Sequence, residues 1–389
     1  MWPSWPWCFS SGRTDCSATG GSEVAKVSRR TGTERTWLLT GGLLGLLFAF
    51  PVLSPSVYYV SLLTSAALYG VLAMSYDLLM GYTGILSFGH ALFFGVGAYG
   101  AGILMRDAGF DFFSAMAVVL ALSAVLAAVI GLLSLRVKGV YFAMVTMAFA
   151  EFFHILVEKL YHITGGSDGF TRIPTPVWLG GTVQKYYVAL VFAIAMYLLA
   201  RRLVSSPVGS VWLAIRENET RAAMLGYDTF SYKLAVMVIS GMMAALTGGL
   251  YAVVVNFAHP GFISVSTTIN LLLMVVIGGV GTLSGGFIGA LIVQPLGRIL
   301  SSYFRAWLLV FGVVYVLIVL FFPAGILGSV RMWRLRRRRP PGAPRGPEAG
   351  PAVPTASPAG PGGAPMTPAA PRATPGAGPA AGDGGAGGP

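Results

Sequence analysis

Ten long apolar segments, separated by short gaps, constrain the fold of this chain more than any other feature. They lie at 37–53, 57–80, 85–105, 113–135, 139–161, 186–203, 234–256, 265–280, 284–302 and 305–322. A helix needs roughly 17–25 mainly apolar residues to cross a bilayer. Charged residues make up 10% of the 389 residues, against about 25% in average soluble chains. The sequence therefore predicts an all-α, polytopic α-helical integral membrane protein with about ten transmembrane helices.

Basic residues predict the orientation of these helices. Lys and Arg concentrate in the N-terminal tail, in the segment 205–233 and in the C-terminal tail, which ten spans would place on one side of the membrane. Because basic flanks favour the cytoplasm, we expect a multi-pass protein of a bacterial inner (plasma) membrane with both termini cytoplasmic. The net charge of +12 then reflects contact with membrane lipid. No nucleic-acid partner is expected.

The chain divides into a membrane domain and two tails. Residues 37–328 hold all ten apolar segments and form the expected transmembrane domain, with 205–233 as a cytoplasmic segment. Residues 1–36 are polar, and residues 329–389 are first basic and then rich in Pro, Gly and Ala. The composition of the tails does not favour an apolar core, so we expect both to be disordered.

The stretch GYTGILSFGHALFFGVGAYGAG at 81–102 combines an apolar sequence with closely spaced glycines. Small residues let membrane helices pack backbone to backbone. Ser87 and His90 interrupt the apolar run, and a polar group in hydrocarbon needs a partner or a wet cavity. We interpret the stretch as a tightly packed helix beside a translocation pathway; a lipid-facing helix is the alternative. Its candidate residues are Gly84, Ser87, Gly89, His90, Gly97 and Gly100.

One part of this stretch is repeated later in the chain. GYTGILSFG at 81–89 is echoed by GGVGTLSGG at 278–286, so that Gly281 and Ser284 correspond to Gly84 and Ser87. Transporters often contain internal repeats, with the substrate route between them. We expect both copies to form turns at the cytoplasmic end of the helices. Chance similarity of two glycine-rich hairpins is the alternative.

Ionisable residues within the expected spans are further candidates. Glu151 and His154 lie three apart in 139–161, hence on one helix face. Charges inside membrane helices usually face a cavity or a partner. The two residues either line the route or lock two helices, or they form a mutually satisfied structural pair. Asp77 lies near the inner end of its span, and we interpret it as reaching the interface.

Two longer hydrophilic stretches interrupt the spans. The outer one, 162–185, contains Gly166, Ser167 and Asp168, residue types that make a defined turn. In the inner one, apolar Trp212, Ile215 and Leu225 alternate with charged residues at helical spacing. We predict one short amphipathic helix from Trp212 to Leu225. Its candidate residues for contact with a protein partner are Arg216, Glu217, Arg221 and the helix-ending Gly226.

The chain lacks the motifs of membrane enzymes. It has no GxxxxGK[ST] phosphate-binding loop and no HExxH, and its four histidines are scattered. The two cysteines, Cys8 and Cys16, lie in the N-terminal tail and define no disulfide framework. We therefore expect no enzyme activity, no catalytic residue, no metal site and no cofactor in this chain.

Several blocks of the sequence resemble the permeases of branched-chain amino acid ABC importers, the LivM/LivH type. These blocks are GYTGILSFGHALFFGVGAYGAG at 81–102, LRVKGVYFAMVTMAFAEFFHIL at 135–156, TGGSDGF at 164–170, AIRENETRAAMLGYD at 214–228, GGVGTLSGGFIGALI at 278–292 and FPAGILG at 322–328. They occur in order over about 37–328. The blocks around 135–156 and 164–170 look more like the LivM half than the LivH half.

The resemblance implies a function and a set of partners. The chain would form the transmembrane route for Leu, Ile or Val beside a second, LivH-type permease. Two cytoplasmic ABC ATPase subunits would use the ATP, and an extracytoplasmic substrate-binding protein would deliver the solute to the mouth near Asp168. The segment from Arg216 to Gly226 matches the family's coupling helix loosely, because Thr220, Arg221 and Ala222 stand where its EAA triplet would be.

Other substrates and transport mechanisms stay open on the sequence. Related permeases serve urea, amides and other small polar solutes, and selectivity resides mostly in the binding protein. An ion-coupled secondary transporter, or a pore, belongs to another class. A secondary transporter is expected to carry more ion-coordinating groups within its spans than this chain does. Asp77 also stands where the family more often has a neutral amide.

Overall fold

The computed structural model of the protein describes residues 56–303 without a gap, together with residues 48, 50, 51, 306, 309, 310, 312, 313, 316 and 325. Eleven helices lie in the continuous part: α1 (Val57–Thr83), α2 (His90–Arg106), α3 (Phe112–Ser134), α4 (Val140–Lys159), α5 (Tyr161–Thr164), α6 (Thr182–Val204), α7 (Pro207–Glu217), α8 (Glu219–Met224), α9 (Thr229–Val255), α10 (Val265–Gly278) and α11 (Leu283–Tyr303). Two short strands, β1 (Phe170–Thr171) and β2 (Phe257–Ala258), pair antiparallel.

The prediction of a helical, polytopic membrane protein is confirmed. Six described helices are long and apolar enough to cross a membrane by length and composition, namely α1, α3, α4, α6, α9 and α11. Helix α10 is a shorter apolar helix of 14 residues, and α2 has 17 residues. The expected spans 37–53 and 305–322, apart from single positions, and both tails lie outside the described residues.

Helices α1 and α9 form the centre of the bundle. Two thirds of their apolar windows are buried inside the protein, against about one third in α3, α4, α6 and α11. Both central helices carry small buried residues on opposite faces, such as Ala66 and Ser75 in α1 and Ser240 and Gly249 in α9. Small side chains let neighbouring helices approach closely from several directions. The outer helices pack on this centre and leave most of their own apolar surface uncovered.

Helix α2 begins five residues later than the expected span 85–105. Helix α1 ends at Thr83, and Gly84 takes a left-handed conformation with φ of 74° that stops the helix. The chain then runs without helical structure until His90. Along this stretch the backbone N–H of Phe88 donates to Thr146 Oγ1 at 3.2 Å. The prediction of helix over 85–89 is thus wrong, because glycine and side-chain bonds replace the helical pattern there.

The predicted single helix from Trp212 to Leu225 is also wrong. Helix α7 ends at Glu217, and Asn218 adopts an extended conformation with φ of −162°. Its side-chain oxygen accepts a hydrogen bond from the backbone N–H of Arg221 at 2.9 Å and so caps α8. Asparagine favours such a cap over a helix interior because its side chain competes for backbone groups.

Candidate functional site

Glycines bring α2 and α9 into backbone contact. A Cβ built on Gly97 of α2 would overlap the carbonyl group of Ala245. A Cβ built on Gly248 of α9 would likewise overlap the carbonyl group of Phe94. Glycine at both positions is therefore what allows the two helices to pack this closely.

The other glycines of the 81–102 stretch have different neighbours. A Cβ on Gly89 would overlap the carbonyl group of Thr146, so the segment before α2 packs against the backbone of α4. A Cβ on Gly100 would lie 3.1 Å from the Cγ2 methyl group of Val119, a side-chain contact. Gly97 and Gly89 are thus more tightly constrained than Gly100.

The polar residues of the stretch are buried inside the bundle. His90 Nε2 lies 2.9 Å from Ser75 Oγ, and the ring packs edge-on against Tyr76. Ser87 Oγ accepts a hydrogen bond from the backbone N–H of Gly89 at 3.3 Å. His90 and Ser87 are 0% and 1% exposed, so in this conformation their contacts are within the bundle.

The two copies of the repeated motif touch each other, and one glycine of each copy has the same backbone conformation. Gly84 and Gly281 occupy corresponding positions and share a left-handed backbone, with φ of 74° and 77°. A Cβ on Gly81 would lie 2.6 Å from the backbone nitrogen of Gly281. The agreement is confined to this glycine: the first copy is non-helical from Gly84 until α2 begins at His90, whereas α11 of the second copy begins at Leu283. We call the end of the bundle where they meet the α7 end.

Asp77 and Arg216 approach this pair of turns. Asp77 Oδ1 accepts a hydrogen bond from the backbone N–H of Gly281 at 2.8 Å. Arg216 Nη1 donates to the carbonyl oxygen of Gly81. Asp77 is fully buried, so our interpretation that it reaches the interface is wrong. The backbone bond is the physical reason, because it satisfies a carboxylate oxygen inside the bundle.

The apolar face of α7 is covered by the chain itself. Trp212 and Ile215 are buried, and Trp212 Nε1 donates to the carbonyl oxygen of Tyr232 at 3.1 Å. By contrast, Met224 at the end of α8 and Leu225 after it are 81% and 72% exposed. The surface left open for a partner therefore lies on α8 and the residues around it.

Charged residues on this segment divide into bonded and free ones. Glu219 forms ion pairs with Lys233 at 2.7 Å and with Lys138 at 3.5 Å. Burial raises the pKa of Glu219, but the hydrogen bond and charge of Lys233, with Lys138, outweigh it and hold the pKa below its ordinary value. Glu217 and Arg221 are exposed, and no described side-chain bond holds either one.

Gly226 follows this segment in a left-handed conformation with φ of 89°. A Cβ at this position would meet no atom within 4 Å, so space does not require glycine here. The backbone conformation does, because residues with a Cβ rarely adopt it.

The opposite end of the bundle carries the turn at 166–168, which we call the outer turn because the basic residues predict it on the outer side. Gly166, Ser167 and Asp168 form a short 3-10 helix before β1. A Cβ on Gly169 would overlap the carbonyl group of Ala258, which brings this turn against β2. Ser167 and Asp168 are exposed, and no side-chain hydrogen bond or ion pair to a described residue holds either one. We call this end of the bundle the β end.

Glu151 and His154 do not pair with each other in the structure. His154 Nδ1 lies 3.0 Å from the carbonyl oxygen of Pro260, and Nε2 lies 3.7 Å from a carboxylate oxygen of Glu158. Glu151 is exposed on α4. The alternative of a mutually satisfied pair is therefore wrong, because His154 takes its neighbours from the β end and from one turn further along α4.

Arg298 is a polar residue of the membrane helices that the sequence analysis missed. It lies in α11, within the expected span 284–302, and its Nη2 donates to Ser65 Oγ of α1 at 3.4 Å. A charge inside a span is itself the signal that should have marked it. Ser284, the repeat partner of Ser87, is half-buried at the start of α11.

The fold and this site define the class of protein. Long apolar helices packed through glycines, with repeated turns joined to a polar segment at one end, are those of a multi-pass membrane permease. Among the described residues, no group of three or more His, Cys, Asp or Glu could hold a metal ion. The chain belongs to the family described as branched-chain amino acid transport system / permease component, which matches residues 58–322.

Relatives of known function agree with this family. The high-affinity branched-chain amino acid transport system permease protein LivM of Salmonella typhimurium is 26% identical over 70% of each chain. The probable LivM of Methanocaldococcus jannaschii is 27% identical over 67% of this chain and 90% of its own length. The LivH permease of Salmonella typhimurium is 27% identical over 43% of this chain and 52% of its own length. No solved structure matches the chain significantly.

Proposed function

We propose that this chain is the LivM-type permease subunit of an ABC importer and forms part of the transmembrane route for leucine, isoleucine and valine. The match to the permease family over residues 58–322 carries this proposal. Two LivM relatives that align over two thirds or more of this chain support the solute class.

The proposed assembly has three kinds of protein partner. A second, LivH-type permease would complete the route, which is supported by the LivM and LivH relatives of one organism that are both named as permeases of a high-affinity branched-chain amino acid transport system. Two cytoplasmic ATPase subunits would hydrolyse the ATP, since this chain has no phosphate-binding loop. An extracytoplasmic binding protein would deliver the solute. The chain would lie in the bacterial inner membrane with both termini cytoplasmic.

The exposed surface of α8 is the proposed docking site for an ATPase subunit. Met224 and Leu225 are large apolar side chains left in water, and covering each would stabilise the complex by roughly 1.5–3 kcal/mol. A membrane surface would favour a uniformly basic face. Glu217 and Arg221 instead give a mixed charge, which suits a complementary protein surface.

The outer turn at the β end is the proposed contact for the binding protein. Ser167 and Asp168 present free polar groups there, next to backbone held by Gly166. Glu151 lies exposed on α4, so it is a candidate for the wall of the route facing the second permease.

Uptake of labelled leucine by cells lacking the gene tests the proposed solute. We expect loss of leucine uptake and its recovery when the gene is restored. Unchanged leucine uptake, with loss of urea, amide or another small solute, would reject branched-chain amino acids but keep an ABC permease. Uptake that follows an ion gradient and ignores ATP depletion would reject the ABC mechanism.

A further inference from the structure

We propose that Arg216 is the positioning residue that couples α7 to both repeated turns, so that the two turns move as one unit when the ATPases displace the α7–α8 segment. This inference rests on the proposed function and names the side chain that transmits its motion into the membrane domain.

Arg216 contacts the equivalent glycines of both turns along its length. A Cβ on Gly84 would lie 3.3 Å from Arg216 Cγ, and a Cβ on Gly281 would lie 2.8 Å from Arg216 Nη1. The same Nη1 donates to the carbonyl oxygen of Gly81. The stem and the hydrogen bond of Nη1 thus hold the first copy, while the same Nη1 lies beside Gly281 of the second. A shift of α7 therefore acts on both turns at once.

Asp77 holds the same junction from within the bundle. Its Oδ1 bonds the backbone N–H of Gly281 at 2.8 Å, and a Cβ on Gly81 would overlap that oxygen. Its Oδ2 is buried without a partner among the described residues. If the turns separated, the carboxylate would lose the bond it has, and a buried group without bonds is costly. Asp77 therefore favours the joined state of the turns.

The residue types at the junction fit this role. Glycine at 81 leaves room for the carboxylate of Asp77, and glycine at 281 leaves room for the guanidinium group of Arg216. Asp77 and Arg216 each bond a backbone group at the junction, and these two attractions hold the turns together. Arginine presents several donors in a rigid plane, whereas lysine presents one compact charge on a flexible stem. Arg216→Lys should therefore keep the attraction but loosen the link.

The test measures leucine transported per ATP hydrolysed. The protein is reconstituted in proteoliposomes with the second permease, the ATPases and the leucine-loaded binding protein. We expect Arg216→Gln to lower this ratio about tenfold, the order expected for one lost charge-assisted hydrogen bond, while the ATPase subunits co-purify at wild-type stoichiometry. Arg216→Lys should fall between. Adding Asp77→Asn to Arg216→Gln should lower the ratio less than additively, because both act on one junction.

Arg202→Gln is the matched control. Arg202 is an exposed arginine in the last turn of α6, and no described side-chain bond holds it. The Arg202→Gln variant should therefore transport as much leucine per ATP as wild type. A wild-type ratio in Arg216→Gln would overturn the inference, as would loss of the ATPase subunits from that variant. If the Arg216→Gln permease itself does not fold in the membrane, Arg216→Lys decides in the same way. Absence of leucine transport in the wild-type assembly would instead reject the proposed function.

Discussion

Replacing Gly97 with alanine is expected to separate α2 from α9. The added Cβ would overlap the carbonyl oxygen of Ala245 and lie 2.6 Å and 2.7 Å from its carbonyl carbon and Cα. Carbon atoms prefer a separation of about 3.5–4.0 Å, so α9 has to move by about 1 Å. Neither helix backbone can yield locally, because both atoms belong to regular helices.

The cost of this separation follows from lost van der Waals contact. A gap of up to about 1 Å forfeits a quarter to a half of each atom-pair attraction of ~0.1–0.2 kcal/mol. For roughly 40 atom pairs across the contact, the loss is about 1–4 kcal/mol. This range agrees with the about 1–3 kcal/mol typical of overpacked cores.

Gly100→Ala on the same helix is the matched control. Both substitutions gain the same helix propensity, and the Cβ at 100 meets the Val119 methyl group, which can rotate away. The measurement is unfolding of the purified protein by SDS in mixed micelles, followed by tryptophan fluorescence. We expect Gly97→Ala to be less stable than Gly100→Ala by about 1–4 kcal/mol. Equal stability of the two variants would refute backbone packing of α2 on α9.

Three further predictions concern the two ends of the bundle. The pKa of Glu219 is lowered in the fold, so its bond to Lys233 stabilises the protein fully at pH values above the ordinary pKa of 4.5. This stabilisation is lost as the pH falls through the folded pKa. Glu219→Gln should therefore destabilise the protein at neutral pH and have little effect in acid. Asp168→Ala should lower uptake and binding-protein-stimulated ATPase activity. Reporters placed after Gly328 and within 164–170 should lie on opposite sides of the membrane.

Each of these predictions has its own contrary outcome. Glu217→Gln removes an exposed carboxylate with no described bond, so a pH dependence equal to that of Glu219→Gln would show that the ion pair does not matter. Wild-type stimulation of ATPase activity in Asp168→Ala would remove the recognition role of the outer turn. Two reporters on the same side would contradict cytoplasmic termini.

The sequence predicts the positions of the helices better than their contacts. Expected spans 113–135 and 234–256 correspond to Phe112–Ser134 and Thr229–Val255, because long apolar runs in a membrane have few alternatives to helix. The sequence contains the signal that ends the helix before 85–89, since glycine, here Gly84, is a typical helix-ending residue. Asn218 is a similar signal, because asparagine is a preferred residue at the start of a helix.

The contacts between the residues of the candidate site could not be predicted from the sequence. His154 has carboxylates both three residues before it and four residues after it on the same helix face, and spacing alone cannot choose between them. The carbonyl oxygen of Pro260, which contacts the ring in the structure, is 106 positions away. The interpretation of Asp77 as an interface residue is wrong for the same reason, because its partner, the backbone N–H of Gly281, comes from a distant turn.

The bond between Asp77 and Gly281 also affects how the protein is made. The two residues are 204 positions apart, and a ribosome adds about 5–20 residues per second, so Asp77 is synthesised roughly 10–40 s before its partner. During that time α1 carries an acid that the bilayer disfavours. Stable insertion of α1 thus depends on the turn between α10 and α11, and nascent chains that stop before Gly281 should be preferred substrates for membrane proteases.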